Sequence, residues 1–248
     1  MATWGKVYLV SGNKGKQMEV QRYFTQAQLM VEAVNINLPE TQNSSAEKIS
    51  WDKAVEAYRV VNRIPVGEPL CHGGTPVLVD DTSLEFDALC GLPGPYIKWF
   101  LDRLGVEGLL KMVKGFAPPG EEDSTEAAPA YRRASAVCIV SLCYGVDEAT
   151  GQPMVQQFRG VCRGALPAGP RGGVGFGWDS IFAPEAQTPA YAKTFAEMSV
   201  DEKNTLSHRA KALQMLTEYL QNSRAGTQGG GAFYKGAPEE KIGVNGDK

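Results

Sequence analysis

Two segments in the second half of the chain carry side chains suited to binding a nucleotide. Residues 175–180, Gly-Phe-Gly-Trp-Asp-Ser, form an aromatic loop loosened by glycines. Residues 202–209, Glu-Lys-Asn-Thr-Leu-Ser-His-Arg, place a lysine, a histidine and an arginine near the start of a predicted helix. Because aromatic rings stack on flat bases and cations pair with phosphates, the two segments together predict a site for a nucleobase that carries phosphates.

A phosphate site is also predicted near the beginning of the sequence. Residues 11–16, Ser-Gly-Asn-Lys-Gly-Lys, follow a short predicted strand and open a predicted helix. Backbone N–H groups at a helix start, together with a lysine, can face a phosphate. The Walker pattern needs four residues between its glycines and then Lys-Ser or Lys-Thr, and this segment has neither feature. A P-loop kinase or GTPase is therefore disfavoured.

A pair of carboxylates predicts where a metal ion and a water would be held. The run Asp80-Asp81-Thr82 follows the apolar residues that begin at Pro76, so we expect it at the carboxyl end of a buried strand, where open α/β sheets bind ligands. Adjacent side chains of an extended chain point to opposite faces, so one carboxylate should face the cleft. We choose Asp81, which would also begin the turn, as the group that serves Mg²⁺ and water.

Glu47 is the candidate for a second oxygen ligand. The chain has only two histidines, His72 and His208, which excludes a multi-histidine centre and leaves open a hard cation held by carboxylates. Glu47 also lies three residues after Ser44, as in a capping box. One carboxylate oxygen would then serve the cap while the other met the ion.

The apolar spacing predicts an α/β fold. The predicted elements, in chain order, are a strand over 6–10, a helix with Val20, Tyr23, Phe24 and Ala27, a helix from Ser44 with Trp51, Ala54, Val55 and Tyr58, a strand over 76–81, a helix through Trp99 and Leu104, a helix with Val106, Leu109, Leu110 and Val113, strands over 135–144 and 154–161, and a helix from Ser199 to Leu220. The strands after residue 135 should form an antiparallel hairpin. Ser199 and Glu202 fit a second capping box.

Composition bounds the class of protein. With 248 residues and 43% hydrophobic content, the chain can form one large globular domain, which we place at 1–222. Residues 117–130 are rich in Pro, Gly, Glu and Ala and should be a mobile insertion, and 223–248 should be a flexible Gly-rich tail.

A net charge of −3 argues against a nucleic-acid binder. No apolar run suits a secretory signal or a membrane span, so we expect a cytoplasmic protein that binds no membrane. The five cysteines lack CxxC spacing and should be reduced thiols.

Five segments together resemble the inosine triphosphate pyrophosphatase (Ham1) family. They are Ser-Gly-Asn-x-x-Lys at 11–16, Val-Asp-Asp-Thr at 79–82, Gly-Leu-Pro-Gly-Pro-Tyr-Ile-Lys-Trp-Phe at 91–100, Gly-Phe-Gly-Trp-Asp at 175–179 and Glu-Lys-Asn-x-x-Ser-His-Arg at 202–209. The resemblance covers Val7 to Leu220 and implies a house-cleaning enzyme that hydrolyses ITP, dITP and XTP to the monophosphate and pyrophosphate. It also implies an elongated mixed β-sheet flanked by helices, with an active-site cleft between two lobes. Family members are similar in forming homodimers and in using Mg²⁺, for which Mn²⁺ can substitute.

The resemblance also implies a role for each matching residue. Asp81 and Lys16 would be catalytic, and Glu47 and Asp81 would hold Mg²⁺ and the attacking water. The residues expected to bind substrate are Ser11, Asn13, Lys16, Lys98 and Lys203 at the phosphates, Thr82 next to Asp81, Phe176 stacked on the base, Trp178 shaping the loop, and Asp179, Ser207, His208 and Arg209 around the purine. Lys48 beside Glu47 marks one extra residue at this helix start, which departs from the family pattern.

The choice of base should depend on hydrogen bonding rather than on stacking. Hypoxanthine and xanthine carry an oxygen acceptor at position 6, where adenine carries an amino donor, so a donor such as Arg209 or protonated His208 should favour the oxo purines. Stacking on Phe176 should raise the affinity for all purines, because every base has a π-face.

Three alternatives stay open at this point. A non-catalytic nucleotide sensor on the same scaffold is opposed by the presence of Asp81, Lys16 and Lys203. A structural or RNA-binding module is opposed by the acidic balance of charge. Within the enzymes, the alternative is a nucleotide pyrophosphatase that prefers another base.

Overall fold

The structure is a computed structural model that describes residues 6–27, 30–122, 124, 128–173 and 175–224. The described strands are β1 (Val7–Val10), β2 (Val31–Val34), β3 (Val77–Phe86), β4 (Pro93–Gly94), β5 (Arg133–Val146), β6 (Pro153–Ala165) and β7 (Ala183–Pro184). They form one sheet in the order β2-β1-β3-β5-β6-β7, and β4 pairs with β3. β1 is parallel to β2 and β3, whereas β3, β5, β6 and β7 pair antiparallel in turn. The predicted mixed sheet and the hairpin after residue 135 are confirmed.

Helices cover both faces of this sheet, as predicted for the α/β class. The described α-helices are α1 (Lys14–Gln26), α2 (Ala46–Val61), α3 (Ile97–Lys114), α4 (Val200–Leu206) and α5 (His208–Arg224). Apolar side chains of α1 and α5 pack with β1 and β5 on one face, and those of α2 pack on the other face. A third apolar cluster joins α3 to the carboxyl-terminal half of β3. Among the described helices, none combines the length and apolarity needed to cross a membrane.

The strand that carries the two aspartates is longer than the sequence predicts. β3 has 10 residues, so Asp80 and Asp81 lie at its middle, and the prediction that Asp81 ends the strand and begins a turn is wrong. The reason is tertiary: β5 pairs with β3 as far as Phe86, which satisfies the backbone of this polar stretch. The alternation of faces is confirmed, because Asp80 contacts Lys16 of α1 and Asp81 contacts Lys53 of α2.

Two predicted helices differ in detail from the structure, one at its start and one in its interior. α2 is capped by Ser45, whose Oγ accepts from the backbone N–H of Lys48 at 3.1 Å, so the capping box predicted at Ser44 is wrong by one residue. The capping box of Ser199 with Glu202 is confirmed at the start of α4. The long final helix is interrupted at Ser207, which has an extended ψ of 159° and ends α4.

The predicted break between two helices near residue 105 is confirmed. Gly105 has a φ of 63° and a ψ of 179°, which separates the two halves of α3.

The five cysteines are free, as expected. Residues 225–248 of the predicted tail, and residues 123 and 125–127 of the predicted insertion, lie outside the described residues. In the described part of the insertion, the hydroxyl of Tyr131 donates to the carbonyls of Glu121 and Glu122, each at 3.2 Å.

Candidate active site

A cleft of about 540 Å³ opens along the middle of β3. It lies between the turn that begins α1, the loop after β2, the first turns of α2 and α3, and the aromatic loop at 176–178. The predicted site residues that line it are Ser11, Asn13, Lys16, Asp81, Thr82, Lys98, Phe176 and Trp178. The fold thus brings the phosphate turn, the carboxylate and the aromatic loop to one cleft.

The turn before α1 is built to bind an anion. Oδ1 of Asn13 accepts from the backbone N–H of Lys16 at 3.1 Å, and the backbone N–H of Asn13 donates to Oγ of Ser11 at 3.2 Å. This cap places the positive end of the dipole of a 13-residue helix at the cleft. Nζ of Lys16 lies 2.6 Å from Oδ1 of Asp80 and 2.9 Å from its carbonyl oxygen, which fixes the lysine against the cleft wall.

Asp81 presents one occupied and one unpartnered carboxylate oxygen. Nζ of Lys53 donates to Oδ1 at 2.8 Å, and the buried Oδ2 has no hydrogen-bond partner among the described residues. Burial alone would lower the pKa of Lys53, but the charge of Asp81 raises it above its ordinary value. Because buried polar atoms normally find partners, the free Oδ2 marks a position for a cation or a water.

The donor set around Asp81 fits a magnesium ion that is shared with a substrate. Among the described residues, no cluster of three acidic, histidine or cysteine side chains is placed to hold a metal. Mg²⁺ is commonly held by one or two carboxylates and completes its coordination with waters and substrate phosphates. The free oxygen of Asp81 is suited to such a site.

The cleft also contains the carboxylates of Glu40, Asp80 and Asp102, and of these Glu40 was not indicated by any sequence pattern. Glu40 lines the cleft, and its Oε1 accepts from Nζ of Lys98 at 2.7 Å. Partial burial would raise the pKa of Glu40, but the hydrogen bond from Lys98 and the charges of Lys53 and Lys16 hold it below its ordinary value. Lys53 was missed as well, although a lysine within the apolar face of α2 was a signal that could have found it.

Glu47, predicted as a metal ligand, is not among the described residues that line the cleft. Its Oε1 lies 3.4 Å from Nε of Arg159, and its Oε2 accepts from Oγ of Ser45 at 3.2 Å. Glu47 therefore faces Arg159 and Gln157 of β6. Glu40, not Glu47, is the glutamate that lines the cleft beside Asp81.

Six charged side chains form a series of alternating ion pairs, which we call the buried ion chain; Lys16 and Asp80 line the cleft, and the other four lie behind it. Its members, in order, are Lys16, Asp80, Arg209, Glu19, Lys203 and Asp179. The pairs of Asp80 with Lys16 and with Arg209 measure 2.6 Å, and those of Lys203 with Glu19 and with Asp179 measure 2.7 Å. Three cations balance three carboxylates, so no buried charge in the series is left unpaired.

The buried ion chain keeps Asp80 ionised. Burial would raise the pKa of Asp80, but Arg209 and Lys16 hold it well below its ordinary range. The thiol of Cys138 also donates to Oδ2 of Asp80 at 3.2 Å. Glu19 was not indicated by any sequence pattern, although a carboxylate next to Val20 on the buried face of α1 is an available signal.

Five residues predicted to bind substrate lie in or beside this chain rather than at the cleft. Lys203, expected at the phosphates, is not among the described residues that line the cleft, and neither are the residues expected around the base, which are Asp179, Ser207, His208 and Arg209. Oδ2 of Asp179 accepts from the backbone N–H of Phe176 at 3.0 Å and from Nζ of Lys203 at 2.7 Å, which ties the aromatic loop to α4. Lys203 Nζ lies 4.8 Å from the centroid of the Phe176 ring. Phe176 therefore separates the cleft from these polar groups.

His208 is buried against two aromatic rings, where the neutral imidazole is favoured over the protonated form that was expected. Its ring lies 5.4 Å from that of Trp178 and 5.8 Å from that of Phe195, measured between centroids. Burial, followed by the charges of Arg209 and Lys203, lowers the pKa of His208 well below its ordinary value. Neither ring nitrogen has a hydrogen-bond partner among the described residues. The preceding residue, Ser207, accepts from the backbone N–H of Ala210 at 3.1 Å and so caps α5.

Comparison with known proteins assigns this arrangement to a family. The model of the Ham1 family matches residues 7–219, nearly the whole described part of the chain. The chain belongs to the Ham1 family. Its α/β fold with a mixed sheet is also that of solved Ham1 structures. The Ham1 protein of Staphylococcus aureus gives a TM-score of 0.62 at 25% identity and covers 88% of this chain and 100% of its own. The HAM1 protein of Coxiella burnetii gives a TM-score of 0.63 at 26% identity, with 88% and 98% covered.

Relatives of this Ham1 family member include named enzymes. The inosine triphosphate pyrophosphatase of Leishmania major is 85% identical over 220 residues, which are 89% of this chain and 94% of the relative. The dITP/XTP pyrophosphatase of Methanopyrus kandleri is 36% identical over 223 residues, which are 89% of this chain and 99% of the relative.

The cleft of this Ham1 family member can hold a highly charged anion. Lys16, Lys53 and Lys98 converge on it together with the start of α1. Asp81 and Glu40 pair with two of these lysines and can turn toward a cation that arrives with the anion. Phe176 supplies an aromatic surface at the same cleft. Such a site suits a nucleotide whose phosphates lie at the turn and whose base lies near the aromatic loop.

Proposed function

We propose that the protein hydrolyses the non-canonical purine nucleoside triphosphates ITP, dITP and XTP to the monophosphate and pyrophosphate, and so cleanses the nucleotide pool. The observation that carries this proposal is the free Oδ2 of Asp81 in a cleft lined by lysines and a helix start. Two relatives support the substrate class, since they are named inosine triphosphate pyrophosphatase and dITP/XTP pyrophosphatase.

The cations of the cleft bind and orient the triphosphate. A nucleoside triphosphate brings about four negative charges, which Lys16, Lys53 and Lys98 offset with the N–H groups at the start of α1. Mg²⁺, held by Glu40 and by the phosphates beside Asp81, would neutralise the remaining phosphate charge and polarise the phosphoryl oxygens.

Asp81 acts on the attacking water. Its Oδ2 accepts the proton of a water whose oxygen bonds to the α-phosphorus, and the bond from that phosphorus to the bridging oxygen of the β-phosphate breaks. The electron pair leaves with pyrophosphate. Lys53 holds Oδ1 at 2.8 Å, so that the second oxygen keeps a fixed direction during proton transfer.

Arg209 is the proposed source of a preference for oxo purines over adenine. It is buried against the Phe176 ring and does not line the cleft in this structure, so a base reaches it only when that ring moves. Nε, Nη1 and Nη2 each donate one hydrogen bond to Asp80 or Glu19, which leaves two of the five N–H groups of the guanidinium for another acceptor. A 6-oxygen accepts such a donor, whereas the 6-amino group of adenine presents a second donor.

A coupled assay tests the proposal. Pyrophosphate release from ITP, XTP, GTP and ATP is followed with inorganic pyrophosphatase, with and without Mg²⁺. We expect Mg²⁺-dependent turnover of ITP and XTP at a kcat/KM at least about 100-fold above that of ATP. A nucleotide sensor would bind ITP without releasing pyrophosphate, and an RNA-binding module would do neither. Equal use of ATP and ITP would overturn the proposed substrate class.

Three further properties belong to the same proposal. Mg²⁺ is the metal and Mn²⁺ substitutes for it, which a titration of both metals tests. The protein is a homodimer, a proposal supported by half-exposed apolar side chains such as Leu92 and Trp99, and light scattering measures its mass. A cytoplasmic location stays a prediction, which cell fractionation tests.

A further inference from the structure

Gly15 occupies a position where a helix would favour a side chain. It lies in the first turn of α1, between Asn13 and Lys16, and its φ is outside the left-handed region. Glycine is therefore not needed for its backbone freedom. In a helix, glycine is less favourable than alanine by about 0.8–1.0 kcal/mol. Another constraint must account for the missing side chain.

The constraint is the ring of Phe176. A Cβ placed on Gly15 would lie 2.4 Å from Cδ1, 2.7 Å from Cε1 and 2.8 Å from Cγ of that ring. The nearly equal distances to three consecutive ring atoms place this Cβ above the face of the ring, not beyond its edge. The bare backbone of Gly15 therefore lies flat against the face of Phe176.

The ring has little freedom to avoid an added methyl group. Carbon atoms pack at about 3.5–4.0 Å, so the ring would have to move by roughly 1 Å or more. The backbone N–H of Phe176 is held by Asp179 at 3.0 Å, and Lys203 Nζ lies 4.8 Å from the ring centroid. The bond to Asp179 holds the backbone of Phe176 in place, and a displaced ring would disturb the contact with Lys203.

We propose that Gly15 is a positioning residue that sets the distance between the base platform and the phosphate turn. The inference rests on the proposed function, in which Phe176 stacks on the base while Ser11, Asn13 and Lys16 receive the phosphates. The start of α1 carries the phosphate residues Asn13 and Lys16, and between them Gly15 contacts the face of the Phe176 ring. A base and its phosphates are joined by a linker of limited length, so the position of the ring determines whether the base and the phosphates can bind at the same time.

The test is a double-mutant cycle of Gly15→Ala and Phe176→Ala, measured as kcat and KM for ITP and as melting temperature. We expect Gly15→Ala to raise the KM for ITP by about fivefold or more, the change that corresponds to losing the weaker end of base stacking. In the Phe176→Ala background the same substitution should leave KM unchanged, because the ring that it displaces is gone. The control is Gly169→Ala, which adds a methyl group with no atom within 4 Å and should leave KM unchanged.

Stability separates this role from a merely structural one. Alanine suits the helix better, so Gly15→Ala should keep or raise the melting temperature in the Phe176→Ala background. An unchanged KM in Gly15→Ala, or an equal rise in KM with and without the Phe176 ring, would overturn the inference. If wild type releases no pyrophosphate from ITP, the proposed function fails instead, and the two failures are distinct.

Discussion

Adjacent aspartates of β3 should respond to the same substitution in opposite ways. Asp80→Asn and Asp81→Asn each replace a carboxylate by an amide of nearly the same shape, one residue apart on the same strand. Asp80 belongs to the buried ion chain, whereas Asp81 has a free oxygen at the cleft. We expect the first substitution to cost stability and the second to cost turnover.

The contacts give the size of each effect. The two oxygens of Asp80 accept from Arg209 and Lys16, with its side chain 1% exposed, and an amide would turn a donor toward one of these cations. Breaking a buried ion pair costs about 3–5 kcal/mol, which in a domain of this size lowers the melting temperature by roughly 6–20 °C. At Asp81 an amide oxygen still accepts from Lys53, so the loss should be about 1 kcal/mol, or roughly 2–4 °C. The lost proton acceptor should lower kcat by about 10²–10⁴-fold.

Thermal melting and ITP turnover of both variants, measured side by side, form the assay. If Asp81→Asn melts as low as Asp80→Asn, or turns over ITP at the wild-type rate, the two aspartates do not have the separate roles assigned to them. Melting must be compared at one Mg²⁺ concentration, because an ion bound only to the folded state adds stability by mass action.

The pH dependence of the same pair supplies an independent check. The pKa of Asp80 is held well below its ordinary value of 3.8, so the stability that it contributes is present above that value and is lost as the pH falls below it. The melting advantage of wild type over Asp80→Asn should therefore be constant above about pH 5 and shrink at lower pH. An advantage that grows on acidification would contradict the ion-pair account.

Three other outcomes are expected. Glu40→Gln should raise the Mg²⁺ concentration needed for half-maximal activity while Glu47→Gln should not, and a metal titration showing the reverse would restore Glu47 as the ligand. In His208→Phe the new ring should pack against the same two aromatic rings. The loss of melting temperature below pH 6.5 should become smaller, because a histidine that is neutral when folded must take up a proton on unfolding. An unchanged pH profile would show that His208 is protonated in the fold. A chain ending at Arg224, the end of α5, should keep the melting temperature and activity of the full chain, and a large drop in either would show that residues 225–248 contribute to the fold.

Sequence periodicity was sufficient for most elements of the fold. The apolar spacing of α1, the glycine break in α3 and the capping box at Ser199 are local signals, and each has its counterpart in the structure. The predicted end of β3 was wrong because the sequence changes from apolar to polar at Asp80, whereas pairing with β5 continues for six more residues. A distant strand, whose Ala134 pairs with Phe86 from 48 residues further along the chain, decides where this strand stops.

Site residues that belong to a sequence motif could be predicted, whereas site residues that stand alone in the sequence could not. The phosphate turn and the aromatic loop have distinctive compositions, and both line the cleft. Glu40 lies in an irregular loop after β2 with no periodic neighbours, so nothing local distinguishes it from a solvent-exposed glutamate. Glu19 gains its meaning only from Lys203 and Arg209, which are about 190 residues away in sequence.

The exposed ion pair of Lys98 with Glu40 at the cleft and the buried ion chain should respond differently to ionic strength. Every side chain of the buried ion chain is 14% exposed or less, whereas Lys98 and Glu40 at the cleft are 52% and 44% exposed. Mobile ions screen exposed charges over about 10 Å at 0.1 M salt, but they do not enter a packed interior. Added salt should therefore lower kcat/KM for every nucleoside triphosphate by a similar factor. The ratio of kcat/KM between ITP and ATP should stay constant, so the enzyme would remain selective at high salt although it works more slowly.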